Sequence, residues 1–574
     1  TALEGGIQEF AASPLPMPAN QPLAIVMNLL STSGATIDLR AVMLVLDQLV
    51  ELHVTSCSGN LAAAANALQA RRAVQDELTR RSMNISGSIT PTEKLRIADT
   101  KQWGYDAAAE LALRASGVGQ IKLAQQMYEI IQEIQLSTLE AIPRPTSGEI
   151  KDGTLERMEA SRNERLLMRM PPNKAAKLLA SWSSSNPEFF PPKFYGSAAD
   201  SPRGSIEVPE SLIEFAVYRP IQRTTHCSFP LPDEPQLLSF VLKNGVLTKV
   251  LGGPLLKDLK ADATQLRAQI ASRTFVDCTS EARRLFNALL RDPLSILNPQ
   301  EVLNVVPAAP LAHIPLGALQ QLCVTPPSGA IALNLLPSGP MLSLLRFSKP
   351  STAEATVISN PDYGSPMLGG HDFNQLKWSG KEGERVSSRI GANLFQGPNA
   401  NIVALLASEK PRVLHIATHS YIQSESSTDT NKSETEASRP ITVLDPALAV
   451  TGARIALANA NEANEGVGQA GIVSAYLVST LNLKGTSLVV FSSCSSGLAS
   501  GQIGTVGIGL QTAAHLAGAK NVVTTLWQVD DEASVRFMDA FYEALARGVP
   551  PAVSLLQAQL SFRNDPKNTT LHAP

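Results

Sequence analysis

Arg412-Val-Leu-His-Ile-Ala-Thr-His-Ser420 and Leu488-Val-Val-Phe-Ser-Ser-Cys-Ser-Ser-Gly497 are the two stretches on which the reading of this chain turns. Each opens with a short, almost wholly apolar run of strand length. The strand Val413–Ala417 delivers His419 to the loop at its carboxyl end. The strand Leu488–Ser492 delivers Cys494 into a turn of small residues, followed by a glycine-rich loop and a helix. Such strands, separated by helical crossovers, predict a mostly parallel sheet covered by helices on both faces. Ligands of these sheets bind beyond the carboxyl ends of the strands. If the two strands are neighbours, a thiol and an imidazole project into one cleft.

The same alternation surrounds these stretches. Leu237–Leu242 and Val246–Leu251 flank Lys243-Asn244-Gly245, a hairpin signal. Helical patterning over 258–290 leads to a buried strand at Val302–Val306. Strand Ala355–Ser359, helix 382–390, helix 473–480, helix 507–517, strand 521–526 and helices 532–547 and 552–560 complete the pattern. Before residue 205 the character differs. Leu39, Val42, Leu46 and Leu49, then Ile121, Ala124, Tyr128 and Ile131, recur at helical spacing, which predicts an α-helical bundle or repeat array over 23–142. These helices are expected to pack on one another. No self-similar period identifies a repeat family. Residues 1–22 and 566–574 read as tails, and 143–204 as a linker with one embedded helix.

A charged fraction of 17% against 44% hydrophobic residues is a globular balance, and the 574 residues suffice for several domains. A net charge of −3 gives no electrostatic footprint for nucleic acid or anionic lipid. Arg71–Arg72 and Arg80–Arg81 are expected to be solvated helix faces. Five scattered cysteines (57, 227, 278, 323, 494) include no C-x-x-C pair, which argues against a disulfide framework or a zinc site and predicts a reducing, cytoplasmic setting. No apolar run approaches the roughly 20 residues of a membrane span, and no signal peptide is evident. Opening on Thr1 rather than Met is what a processed or trimmed chain would show. Gly504, Gly507 and Gly509 have neither P-loop nor dinucleotide-binding spacing. No cofactor or metal is expected.

A free thiol titrates near about 8.5 and needs a base or a positive environment to act at neutral pH. His419 can be that base, and backbone N–H groups near Cys494 can stabilise an oxyanion. Taken singly, a cysteine is more often a small buried hydrophobe and a histidine a surface residue. Cys494, however, stands among four serines and before Gly497, which is not a core context. His415, inside its strand, is expected to be a packed histidine.

From about Leu237 to Arg563 the chain resembles CHAT domains, the caspase-like peptidases often joined to helical tetratricopeptide arrays and related to caspases and separases. Four segments carry the resemblance. They are Val305-Val-Pro-Ala-Ala-Pro-Leu-Ala-His-Ile-Pro-Leu-Gly-Ala-Leu319, Val413-Leu-His-Ile-Ala-Thr-His419, Leu488-Val-Val-Phe-Ser-Ser-Cys494 with the separase-like Cys-Ser-Ser-Gly at 494–497, and Leu516-Ala-Gly-Ala-Lys-Asn-Val-Val-Thr-Thr-Leu-Trp-Gln-Val-Asp-Asp-Glu532.

The resemblance implies a pseudo-caspase half over 205–350 and a catalytic half over 351–565, and it suggests tetratricopeptide-like helices before them. It implies a Cys494–His419 dyad and an oxyanion hole from the N–H groups of Ser420 and Cys494. Ser420 stands where the family usually has Gly. Asp530 and Asp531, with Trp527 at the wall, could form an acidic pocket for a basic side chain; capping of the helix from Glu532 is the alternative. The polar segment Ser424–Pro440 reads as a loop beside the site. The function implied is an endopeptidase cleaving a protein substrate. It is expected to be gated by a protein or ribonucleoprotein partner at the N-terminal helices, in a defence or cell-death setting, without direct nucleic-acid or membrane binding. A catalytically silent scaffold or sensor is the alternative.

Overall fold

A computed structural model describes residues 39–55, 60–86, 91–140, 211–221, 234–271, 278–297, 302–324, 329–339, 341, 349–366, 372–422, 453–464, 468–469, 471–497 and 509–564. The tails, the linker at 143–204, the segment 424–440 and the glycines 504 and 507 lie outside these.

Helices α1 (Leu39–Thr55), α2 (Leu61–Ser86), α3 (Pro91–Gly117) and α4 (Ile121–Glu140) form the front of the molecule. Asn60 caps α2, its Oδ1 accepting from the N–H groups of Ala62 and Ala63. Small buried residues along α2 (Ala64, Ala67 and Ala70) let its neighbours approach closely. Arg71 corrects the solvated-face expectation. It is 2% exposed, ion-paired with Asp47 of α1 and laid over the Trp103 ring at 4.5 Å. A planar guanidinium can be buried where a carboxylate and an aromatic face meet it. The side chains of Arg80 and Arg81 lie outside the described residues.

Strands β1 (Ser211–Tyr218), β2 (Gln236–Lys243) and β3 (Val246–Leu255) follow. Next come α5 (Leu256–Ala271), α6 (Ser280–Phe286), α7 (Asp292–Leu297), β4 (Val302–Val306), α8 (Leu316–Cys323) and β5 (Ala332–Leu335). The sheet order is β3-β2-β1-β4-β5. The β2–β3 hairpin is antiparallel, whereas β1, β4 and β5 run parallel. Asn244 (φ 53°) and Gly245 (φ 76°) make the hairpin turn, both left-handed as a two-residue turn of this kind requires. Every residue of β1 is buried because both faces are covered. Ile213, Phe215 and Val217 meet Leu259, Ala263 and Leu266 of α5. Leu212, Ala216 and Tyr218 share a core with Tyr105, Leu111, Met127 and Ile131 of the front helices.

The helices pack on one another, as expected, and through this shared core they also pack on the sheet. The front helices also cover an exposed sheet edge: Gln125 Oε1 and Ser116 Oγ accept from the N–H groups of Leu247 and Val250 in β3. A second correction concerns cysteine. Cys278 and Cys323 form a disulfide with Cα atoms 4.9 Å apart, tying the start of α6 to the end of α8. Their separation of 45 residues carries no local signature, because the fold itself makes the pair. The reducing setting inferred from unpaired cysteines loses that support.

The second half contains β6 (Ala355–Pro361), α9 (Ser379–Ile390), β7 (Ala392–Gly397), α10 (Ile402–Ala407), β8 (Val413–Ala417), β9 (Ser420–Ile422) and β10 (Ala453–Ala456). After a short ladder of β11 (Ala463–Asn464) and β12 (Gly468–Gln469) come β13 (Ile472–Ser474), α11 (Ala475–Ser479), β14 (Leu488–Ser492), α12 (Leu510–Leu516), β15 (Val522–Val523), α13 (Asp531–Ala546) and α14 (Pro551–Asn564). The order β15-β14-β8-β6-β7 is parallel throughout. Val413, Leu488 and Val490 face Phe537 and Phe541 of α13. Leu414, Ile416, Val489 and Phe491 face the opposite layer, with Leu477 and Ala513. The direction of winding reverses between β6 and β8, which places a crevice at the carboxyl ends of β8 and its neighbours. Among the described residues, no helix is long and apolar enough to cross a membrane.

Candidate active site

Strand pairing brings the two sequence stretches together. β8 and β14 are adjacent and parallel, with Ala417 opposite Ser492. His419 and Cys494 each lie two residues beyond that pair, so they leave neighbouring strand ends at equal offset. Adjacent strands are about 4.8 Å apart. The loops are joined on both sides of this position. Thr418 N–H donates to Ser492 O at 3.3 Å, and Ser420 Oγ donates to the carbonyl of Cys494. Cys494 is half-buried and, among the described cysteines, is the one outside the disulfide.

The orientation of His419 follows from its partners. Its Nε2 is 2.8 Å from the main-chain carbonyl of Asn374. A carbonyl only accepts, so Nε2 carries a proton, and the neutral tautomer consistent with this contact has its lone pair on Nδ1. Phe373 stacks on the imidazole, with centroids 5.5 Å apart and planes at 26°. Tyr363 closes another side at 5.3 Å. Thr418 Oγ1 donates to Ala456 O, so the 3.0 Å contact between Tyr363 and Thr418 is a bond donated by the phenol. Burial moves the Tyr363 hydroxyl up to about 12, which keeps it a donor.

The nucleophile turn has its own frame. Ser495, directly after Cys494, is left-handed at φ 57°, uncommon for a residue with a side chain. Its N–H donates to Trp527 O at 3.2 Å, and that of Gly497 to Thr525 O at 2.7 Å. A Cβ on Gly497 would come within 2.6 Å of Thr524 Oγ1 and 3.0 Å of Thr525 O, so the close approach requires glycine. Ser420 begins β9, pairs with Ile455 and is not left-handed; serine at that position therefore costs no backbone strain.

Asp530 caps α13, its Oδ1 accepting from Ala533 N–H at 2.8 Å. Asp531 Oδ2 accepts from Trp378 N–H at 2.7 Å, which ties α13 to the start of α9. Burial raises the Asp531 carboxyl; the Trp378 N–H and the nearby His419 oppose that rise. The helix-capping alternative thus describes Asp530. Trp527 is half-buried, and its carbonyl supports the nucleophile turn. His415 is fully buried, with Nε2 3.0 Å from Glu382 Oε1 and Nδ1 3.0 Å from the Tyr542 hydroxyl. Among the described residues, no group of three or more His, Cys, Asp or Glu could hold a metal ion.

Asn374, Phe373, Tyr363 and Glu382 were not singled out from sequence. Asn374 acts through a backbone atom, which leaves no trace in residue type. The others come from distant elements and carry no spacing signal.

No curated protein matches the chain. The CHAT domain family model matches residues 279–574, just over half of the sequence and all of the strands that bear His419 and Cys494. With its parallel sheet and helical front, the chain belongs to the CHAT domain family.

Proposed function

We propose that the chain is a caspase-like cysteine endopeptidase acting on a protein substrate, with Cys494 as nucleophile and His419 as base. The observation that carries the proposal is the equal offset of the two residues from the Ala417–Ser492 pair, with the His419 lone pair left on Nδ1. In the reaction, Nδ1 takes the Cys494 thiol proton as sulfur attacks the scissile carbonyl and the S–C bond forms. The N–H groups of Ser420 and Cys494 would meet the oxyanion. The imidazolium returns its proton to the departing amine as the C–N bond breaks, and water then hydrolyses the thioester.

Substrate selection by a basic side chain is a weaker component. Both acids already accept from main-chain N–H groups. Partner binding at α1–α4 is proposed to raise activity through the core these helices share with β1–β3.

The test is incubation of wild type and Cys494→Ala with a proteome-derived peptide library, reading new N-termini by mass spectrometry. Termini from the wild type alone support the proposal. Equal termini from both proteins, or none from either, would overturn it in favour of a silent scaffold.

A further inference from the structure

The acceptor that orients His419 belongs to a segment with no ladder of its own. Phe373 and Asn374 lie in the irregular stretch 372–378, between β6 and α9. A carbonyl there stays within 2.8 Å of Nε2 only if something else holds the segment. Asn461 does so. It is 1% exposed. Its Oδ1 accepts from Phe373 N–H at 2.8 Å, and its Nδ2 donates to Phe373 O at 3.0 Å and Gly364 O at 3.2 Å. Its own N–H donates to Tyr363 O at 2.8 Å.

The carboxamide therefore pairs with both the N–H and the C=O of a single residue, as a neighbouring strand would. That fixes the peptide planes on either side of Phe373, and with them the direction of the next carbonyl and the ring that stacks on His419. The assignment of oxygen and nitrogen in Asn461 is settled by its partners, one N–H and two carbonyls. Asn461 itself follows β10, whose partner β9 starts at the residue after His419. The clamp and the base are thus anchored to the same small sheet.

We propose that Asn461 is a positioning residue for the dyad. By clamping Phe373 it keeps the Asn374 carbonyl on His419 Nε2, which holds the proton there and leaves Nδ1 for the Cys494 thiol. This rests on the Cys494–His419 reading above. Once the clamp is removed, the imidazole can rotate or adopt the other tautomer.

The test uses the full chain and iodoacetamide, with alkylation read on the Cys494 peptide by mass spectrometry from pH 5.5 to 9. Nitrogen-15 NMR of labelled histidines reports the His419 tautomer. In the wild type, reactivity below the ordinary thiol range is expected, and it should vanish in His419→Ala. Asn461→Ala is expected to keep the wild-type circular dichroism spectrum, to lose about tenfold in alkylation rate at pH 7, and to show mixed His419 tautomers. A wild-type rate with an unmixed Nε2–H tautomer in Asn461→Ala would overturn the proposal. If that variant does not fold, Asn461→Asp carries the same test, since it keeps the acceptor for Phe373 N–H and loses both donors. Alkylation in the wild type that ignores His419 would strike the dyad itself, and the clamp's role with it.

Discussion

The central strands of the two five-stranded sheets bury a glutamate and a histidine, Glu214 and His415, in different surroundings. In the first, Glu214 of β1 is fully buried and, among the described residues, is met by neutral donors, the Tyr128 hydroxyl at 2.7 Å and Gln132 Nε2 at 2.5 Å, both from α4. In the second, His415 of β8 is paired with the carboxylate of Glu382 and the hydroxyl of Tyr542. Neutral donors only partly repay the burial of a carboxyl, and Glu214 is pushed up to about 7. Around His415 both ring nitrogens are hydrogen-bonded, which locks one arrangement of the ring. The first sheet thus holds its helical cover by a bond that responds to protons. The second holds a fixed platform two residues below the carboxyl end of a strand that carries His419.

Breaking the platform should have the largest effect. Glu382→Ala leaves His415 buried without its acceptor, and chemical denaturation is expected to show a loss of about 3–5 kcal/mol. A loss below about 1 kcal/mol would mean that the two buried sites do not differ as described.

Next comes Glu214. The folded chain holds its proton up to about 7, whereas the unfolded chain releases it near 4.5. The folded state then binds more protons between those values. The group's contribution is full below about 4.5 and is lost as pH rises through about 7. Asp106, raised by burial to about 6, acts in the same direction. Glu214→Gln is expected to flatten the fall in stability between pH 5 and 8 and to raise stability at pH 8 by roughly 1–3 kcal/mol. An unchanged pH profile would remove the contrast.

The smallest effect is expected at the helix that abuts the dyad. Asp530→Ala removes the cap of α13 and should lower stability by about 1 kcal/mol. If it also removed all Cys494 reactivity, Asp530 would have a role beyond capping.

Much of the second half was legible in advance because its strands are short apolar runs ending in polar, small residues. Val413–Ala417 and Leu488–Ser492 are strands with the expected bounds. The expected strand over 521–526 shortens to Val522–Val523, because from Thr525 onward the backbone turns to serve the nucleophile loop. β1 was not anticipated: a glutamate at its centre hides the apolar pattern, and only the Tyr128 and Gln132 partners explain why it can be buried. The Cys278–Cys323 bond and the Asn461 clamp were invisible for the same reason. Both are contacts between segments whose proximity exists only in the fold.

Labelling of Cys494 by a peptide acyloxymethyl ketone, compared between wild type and His419→Ala, tests the central claim most directly. The account predicts covalent modification of Cys494 in the wild type and a loss of at least about a hundredfold in rate when the imidazole is removed. Equal labelling of the two proteins, or none of the wild type, would contradict it.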